Sequence, residues 1–165
     1  MMNVADVDKI TNVLEIMKVY ELALADFYKQ CSDTWEQDQA FWEGLAHAEV
    51  RHAENIQRMI ELIANKPGSF NVGRPFNLVA LRTALAGVND NRKRMKDRLI
   101  SREKLMILAR DIEQSVLESN YAEIVKTADL EYQTLMKDIL LQTRDHKMMM
   151  QKKINDIKSP SPMSS

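Results

Sequence analysis

Apolar residues recur every three or four positions along four long segments of the chain, the spacing that places them on one face of an α-helix. In the first segment Ile10, Leu14, Met17, Leu24, Phe27 and Cys31 form the stripe. This predicts a helix over about residues 6–31, with Asp6 or Asp8 as its N-cap. Ser32, Asp33 and Thr34 supply turn chemistry before a second stripe through Trp42, Leu45, Ile56, Met59, Ile60 and Ile63, which ends near Lys66-Pro67-Gly68. Pro67 to Phe76 holds Gly68, Gly73 and Pro75 with no period and reads as a connecting loop. Asn77 to Arg98 is again helical in character, with Gly87-Val88-Asn89-Asp90 as a point where it could divide into two pieces. Ser101 caps a third long helix whose stripe is Leu105, Leu108, Ala109, Ile112, Val116 and Ile124. A fourth starts near Ala128-Asp129 and uses Leu135, Met136, Ile139, Met150 and Ile154, and the tail Ser159 to Ser165 is expected to be disordered.

The expected fold is therefore all-α and a single domain over residues 1–158. Two helix pairs are each joined by a short turn, and a long, partly helical crossover lies between the second and third long helices. Such a pattern makes a four-helix bundle with one long connection. Composition agrees, since the chain has only four Gly and four Pro, two of them, Pro160 and Pro162, in the tail. With 23 basic and 24 acidic residues the formal charge is −1, so no global field draws the chain to nucleic acid or to an anionic membrane. The one cysteine, Cys31, cannot form an internal disulfide, and no Cys-x-x-Cys pair is present to hold zinc or an iron–sulfur cluster. Met1 to Asp8 lack a basic region followed by an apolar run, and no uncharged stretch is long enough to span a bilayer. A cytoplasmic protein with no membrane or nucleic-acid partner is expected.

A few ionisable residues interrupt the apolar stripes, where a bare charge is costly unless it is paired or bound to a metal. Glu21 lies between Met17 and Leu24, Glu49 and His52 continue the line from Leu45 to Ile56, Glu113 lies between Ala109 and Val116, and His146 lies between Ile139 and Met150. Residues three apart on a helix share a side and are displaced by ~4.5 Å along the axis, so Glu49 and His52 can serve one centre. Three carboxylates and two imidazoles therefore point inward, a donor set suited to iron or manganese.

These residues resemble the rubrerythrin-like branch of the ferritin-like superfamily. Glu21-Leu-Ala-Leu-Ala-Asp-Phe-Tyr28 is similar to that family's first-helix pattern of a ligand Glu followed by an aromatic pair. Glu49-Val-Arg-His52-Ala-Glu54 resembles its second-helix ligand motif, and Ile112-Glu113-Gln-Ser115 its third-helix Glu motif. The resemblance spans about residues 6 to 157 and implies a ferritin-like bundle with a carboxylate-bridged di-iron site that handles oxygen, peroxide or Fe(II). The metal ligands it implies are Glu21, Glu49, His52, Glu113 and His146. On the fourth helix the chain departs from the pattern: Thr143-Arg-Asp-His146 stands where the family has a second Glu-x-x-His. Three carboxylates then face the four charges of two divalent cations, so a second ion is expected to bind more weakly. Asp145 is no replacement, being rotated by ~100° from His146 around the helix. The cysteine pairs of a rubredoxin-like module are also missing from the chain, so electrons are expected from an external donor.

Other residues have plainer readings. Tyr28 could donate to a metal ligand, although packing with a satisfied hydroxyl is the commoner role of such a residue. His47 falls on the outer face with Glu43, Arg51 and Glu54, and Glu118 would reach the site only if its helix were distorted. Arg92, Lys93, Arg94, Lys96 and Arg98, interleaved with Asp90, Met95 and Asp97, read as a solvated helix face. Met148, Met149 and Met150, consecutive positions that face different directions, suggest a tail-end apolar contact or homodimer surface rather than soft-metal binding. Two functions remain open: a non-haem iron or manganese protein that oxidises Fe(II) or reduces peroxide, or a non-catalytic bundle that acts as a dimeric or partner-binding module with a degenerate metal site.

Overall fold

A computed structural model of the chain describes residues 2–159, so the tail expected to be disordered lies, beyond Ser159, outside the described residues. Among the described residues the chain is all-α apart from one two-stranded ribbon. Its elements are α1 (Val4–Thr34), α2 (Gln39–Asn65), β1 (Phe70–Val72), α3 (Leu78–Lys96), α4 (Arg102–Glu118), β2 (Val125–Thr127) and α5 (Leu130–Lys158). Among the described residues no helix is long and apolar enough to cross a membrane.

Local chemistry sets the boundaries. The side chain of Asn3 accepts a hydrogen bond from the Asp6 amide at 2.8 Å, while the Asp6 carboxylate accepts one from the Asn3 amide at 3.2 Å. Asn3 rather than Asp6 or Asp8 is therefore the N-cap of α1, and Asp6 is the reciprocal member of a capping box. At the other end α1 runs on through Ser32, Asp33 and Thr34, and the turn comes only at Trp35 to Asp38. Ser101 caps α4 as expected, accepting from the Lys104 amide, while Asp129 caps α5 and Asn77 caps α3, accepting from the amides of Tyr132 and Ala80. The break considered at Gly87 is not present. Gly87 faces open space on an unbroken α3, where a glycine costs only about 1 kcal/mol relative to alanine. Helix α4 stops at Glu118, so Ile124 does not continue its stripe. The chain reverses through Asn120 in the left-handed region (φ 56), a conformation asparagine tolerates, and buries Ile124 just before β2.

Helix α1 packs along α2 and α4 along α5, with α2 also against α5 and α3 against α1. The predicted stripes form the common core: Leu14, Met17, Leu24, Phe27, Ile56, Met59, Leu105, Ala109, Ile139 and Met150 are all at 0% exposure. Burial of each large side chain stabilises by about 1.5–3 kcal/mol before entropy is counted. The segment read as a plain loop, Pro67 to Phe76, contains β1. It pairs antiparallel with β2, Phe70 opposite Thr127 and Val72 opposite Val125, and so ties the α2–α3 connection to the α4–α5 connection. Gly73 continues the pairing, its amide donating to the Ile124 carbonyl at 2.9 Å. The two backbones approach so closely here that a β-carbon on Gly73 would run into the carbonyl oxygen of Glu123.

Candidate metal centre

Helices α1, α2, α4 and α5 each deliver part of one buried cluster. Helix α1 supplies Glu21, α2 supplies Glu49 and His52, α4 supplies Glu113, and α5 supplies His146. The five are between 1% and 7% exposed, so all the residues expected to face inward do so. They form two triads, Glu21–Glu49–His52 and Glu49–Glu113–His146, in each of which one ligand atom per residue lies within 4.8 Å of the others. Glu49 belongs to both. A single helical turn of α2 therefore places a shared carboxylate between two half-sites, and the His52 and His146 rings lie 6.0 Å apart with planes 24° from parallel.

Both histidines turn Nδ1 towards the carboxylates. His52 Nδ1 lies 3.0 Å from Glu49 Oε2 and 3.9 Å from Glu21 Oε2. Its Nε2 is 2.8 Å from the Gln142 side-chain oxygen, which fixes the ring's orientation. His146 Nδ1 is 3.2 Å from Glu49 Oε1 and 3.7 Å from Glu113 Oε1. Neither approach is aligned as a hydrogen bond, and Glu21 Oε1, Glu49 Oε1 and His146 Nδ1 are buried polar atoms without a hydrogen-bond partner. Leaving such an atom unpartnered costs about 1–3 kcal/mol each, so three at one point amount to a defect that a bound cation would relieve. Oxygen and imidazole nitrogen donors suit iron or manganese.

The electrostatics follow from the crowding. Burial pushes the Glu21 carboxyl well above its ordinary range, and the neighbouring Glu49 charge pushes it further. Glu113 is raised to about 7 by burial and then by Glu49. Burial acts on Glu49 in the same direction, but the contacts with His146 and His52 outweigh it and hold this carboxyl below the usual range. For the imidazoles burial disfavours the charged form. The carboxylates prevail, lifting His52 to about 11 through Glu21 and Glu49, and His146 to about 9 through Glu113 and Glu49. A cluster of this kind holds its central carboxylate ionised at neutral pH and shares protons among the rest.

The surroundings sort the remaining candidates. The Tyr28 hydroxyl donates to Glu113 Oε1 at 2.5 Å while its ring stacks on Trp42 at 5.6 Å, so the residue both packs and anchors a cluster carboxylate. Thr143 is buried, and its hydroxyl donates to the Ile139 carbonyl of its own helix at 2.8 Å. Asp145, His47 and Glu118 are exposed, and Glu118 accepts from Gln114 at 2.6 Å. Two polar residues were not anticipated. Gln142 lies off the inward stripe of α5, so periodicity gives no sign of its contact with His52. Asp38 looks like an ordinary turn residue yet is buried, gripped by Arg102 at 2.5 Å and 2.8 Å with Lys153 at 3.6 Å. Compared with models of protein families, with curated proteins and with solved structures, the chain matches none.

Proposed function

We propose that the chain is a rubrerythrin-like member of the ferritin-like superfamily, a four-helix bundle that binds iron or manganese at a two-ion Glu/His centre. The observation that carries this reading is the convergence of three unpartnered buried atoms, Glu21 Oε1, Glu49 Oε1 and His146 Nδ1, on two triads joined through Glu49. In this reading Glu21 and His52 would hold one ion and Glu113 and His146 the other, with Glu49 available to both. Gln142 holds the His52 ring so that Nδ1 faces the ion, and Tyr28 fixes the Glu113 carboxylate. With Thr143 in place of a fourth carboxylate, the second ion binds more weakly than the first. When bound, the ions supply the redox chemistry for oxidising Fe(II) or reducing peroxide. The protein contributes the dry enclosure and carboxylates that adjust to changing charge. Oxygen, peroxide or Fe(II) are the small partners, an external protein or reductant supplies electrons, and the cytoplasm is the compartment.

The deciding experiment is metal analysis of protein purified without chelator, followed by optical spectra in air and after peroxide. Two iron or manganese ions per chain are expected, the second lost first on dilution, and Glu49→Ala should carry neither. Unchanged metal content in that variant removes the proposed centre. A second reading draws on Leu141, Met148 and Met149, exposed at 43%, 65% and 45% on the outer side of α5. Such side chains favour a homodimeric or partner-binding module, and that reading wins if the protein carries no metal and peroxide leaves its spectrum unchanged.

A further inference from the structure

The five cluster residues are so deeply enclosed that a cation needs an opening to reach them. A cleft of about 370 Å³ lies between the N-terminal part of α3 and the end of α4. Its lining includes Tyr20, Ala80, Ser115, Val116, Glu118 and Tyr121. Tyr20, Val116, Tyr121 and Ile124, each no more than 3% exposed, are its most enclosed residues and form its floor. Two of them sit beside the cluster in the chain: Tyr20 precedes Glu21 on α1, and Val116 is one helical turn beyond Glu113 on the inward face of α4. The floor also lies within electrostatic reach of the cluster. The Tyr20 and Tyr121 phenols are raised by burial first, and then by the charges of Glu21, Glu49 and Glu113. The walls offer oxygen donors in Glu118 and Ser115, and the cation that also lines the cleft, Arg74, is engaged by Glu123 at 3.0 Å. A hard cation entering the cleft thus meets the oxygen ligands of Glu118 and Ser115 on its walls.

We infer that this cleft is the port through which a hydrated divalent cation reaches the Glu21–Glu49–Glu113 cluster, and that the Tyr20 ring is the gate across it. The inference rests on the metal-centre reading above and adds a route and a gating residue to it. A rival route passes the other flank, where half-buried Gln142 covers His52.

The test is stopped-flow uptake of Co(II) by the metal-free full chain, read from the cobalt ligand-field absorbance. Tyr20→Ala should speed uptake by on the order of tenfold, and Ala80→Trp, a bulky group at an exposed position on the cleft wall, should slow it by about as much. Tyr20→Phe, which keeps the ring, should take up cobalt at the parent rate, Gln142→Ala should not speed uptake, and the Tyr20 and Ala80 variants should reach the parent end-point. Should Tyr20→Ala not fold, Ala80→Trp decides alone. Full uptake at an unchanged rate in Ala80→Trp, or acceleration by Gln142→Ala instead of Tyr20→Ala, overturns the port while leaving the metal centre standing. Absence of cobalt absorbance in the parent chain overturns the centre itself, and the port with it.

Discussion

Asp38 and Glu49 are equally shut away from water, their side chains each 1% exposed, yet their surroundings resolve the burial in opposite ways. Asp38 is met by cations of its own chain. Arg102 grips both carboxylate oxygens, Lys153 stands behind it, and no polar atom of the carboxylate is left over. Glu49 is met by two more carboxylates and two imidazoles, with one of its oxygens, one of Glu21 and one nitrogen of His146 unpartnered. A buried acid with its own counter-charge is a structural joint between α4 and the turn before α2. A buried acid whose two imidazoles are shared with two further carboxylates belongs to a cluster with polar atoms that its own chain leaves without a hydrogen bond, which is where an outside charge can bind. The contrast teaches that burial of charge does not by itself identify a functional centre; buried polar atoms left without an internal hydrogen bond do.

The two regions should part company under perturbation. The largest effect expected is the thermal shift on metal loading. At a free ion concentration a thousand times the dissociation constant, binding adds about 4 kcal/mol, which raises the melting temperature by about 10 °C in a chain of this size. Asp38→Asn should keep that shift in full and Glu49→Ala should abolish it, as calorimetry with and without Mn(II) would show. A shift surviving in Glu49→Ala would erase the distinction. Next, Asp38→Asn should lower stability by about 2 kcal/mol in denaturant unfolding. The loss stays below that of a fully buried pair because Arg102 and Lys153, 32% and 34% exposed, can turn to solvent. Metal content should not change. Gln142→Ala should cost about 1 kcal/mol and weaken metal binding by about tenfold, because the His52 ring loses the bond that orients it. Titrated ion binding would measure it, and an unchanged affinity would show that the His52 ring is oriented by packing alone.

The smallest effect concerns pH. The Arg102 bond holds the Asp38 carboxyl below its ordinary range. Its folded-state value is thus depressed relative to the unfolded chain, and the stabilisation it gives is present above an ordinary aspartate pKa of about 4 and is lost as pH falls through the lowered folded value. Unfolding curves between neutral and acid pH should show this limb in the parent chain and a shallower one in Asp38→Asn. An identical acid limb in both would place the acid sensitivity elsewhere.

How much of this was legible in the sequence depends on the periodicity of each feature. Glu21, Glu49, His52, Glu113 and His146 stood out because each interrupts an apolar stripe long enough to fix which face points inward. The same logic could not reach Gln142, which touches His52 from beside the stripe, or Asp38, whose burial depends on Arg102 and Lys153 arriving from distant helices. The strands Phe70–Val72 and Val125–Thr127 are too short for an alternating pattern to register, and β1 sits in a Gly- and Pro-bearing loop that masks it. Ile124 was misplaced because its spacing continued the α4 stripe after the helix had stopped. Gly87 misled in the other direction, since an exposed helical surface absorbs a glycine without breaking.

The short ribbon has a consequence for the order in which the chain assembles. Helices α1 and α2 can pair as soon as both exist, and so can α4 and α5, because each hairpin closes a short turn. Joining Phe70 to Thr127 closes a far longer loop, one that contains the whole of α3 and α4, so the strands are expected to act as a clasp that shuts late. Loosening it should leave the rate of collapse untouched and hasten the opening of the native protein, releasing first the end of the molecule where the crossover begins.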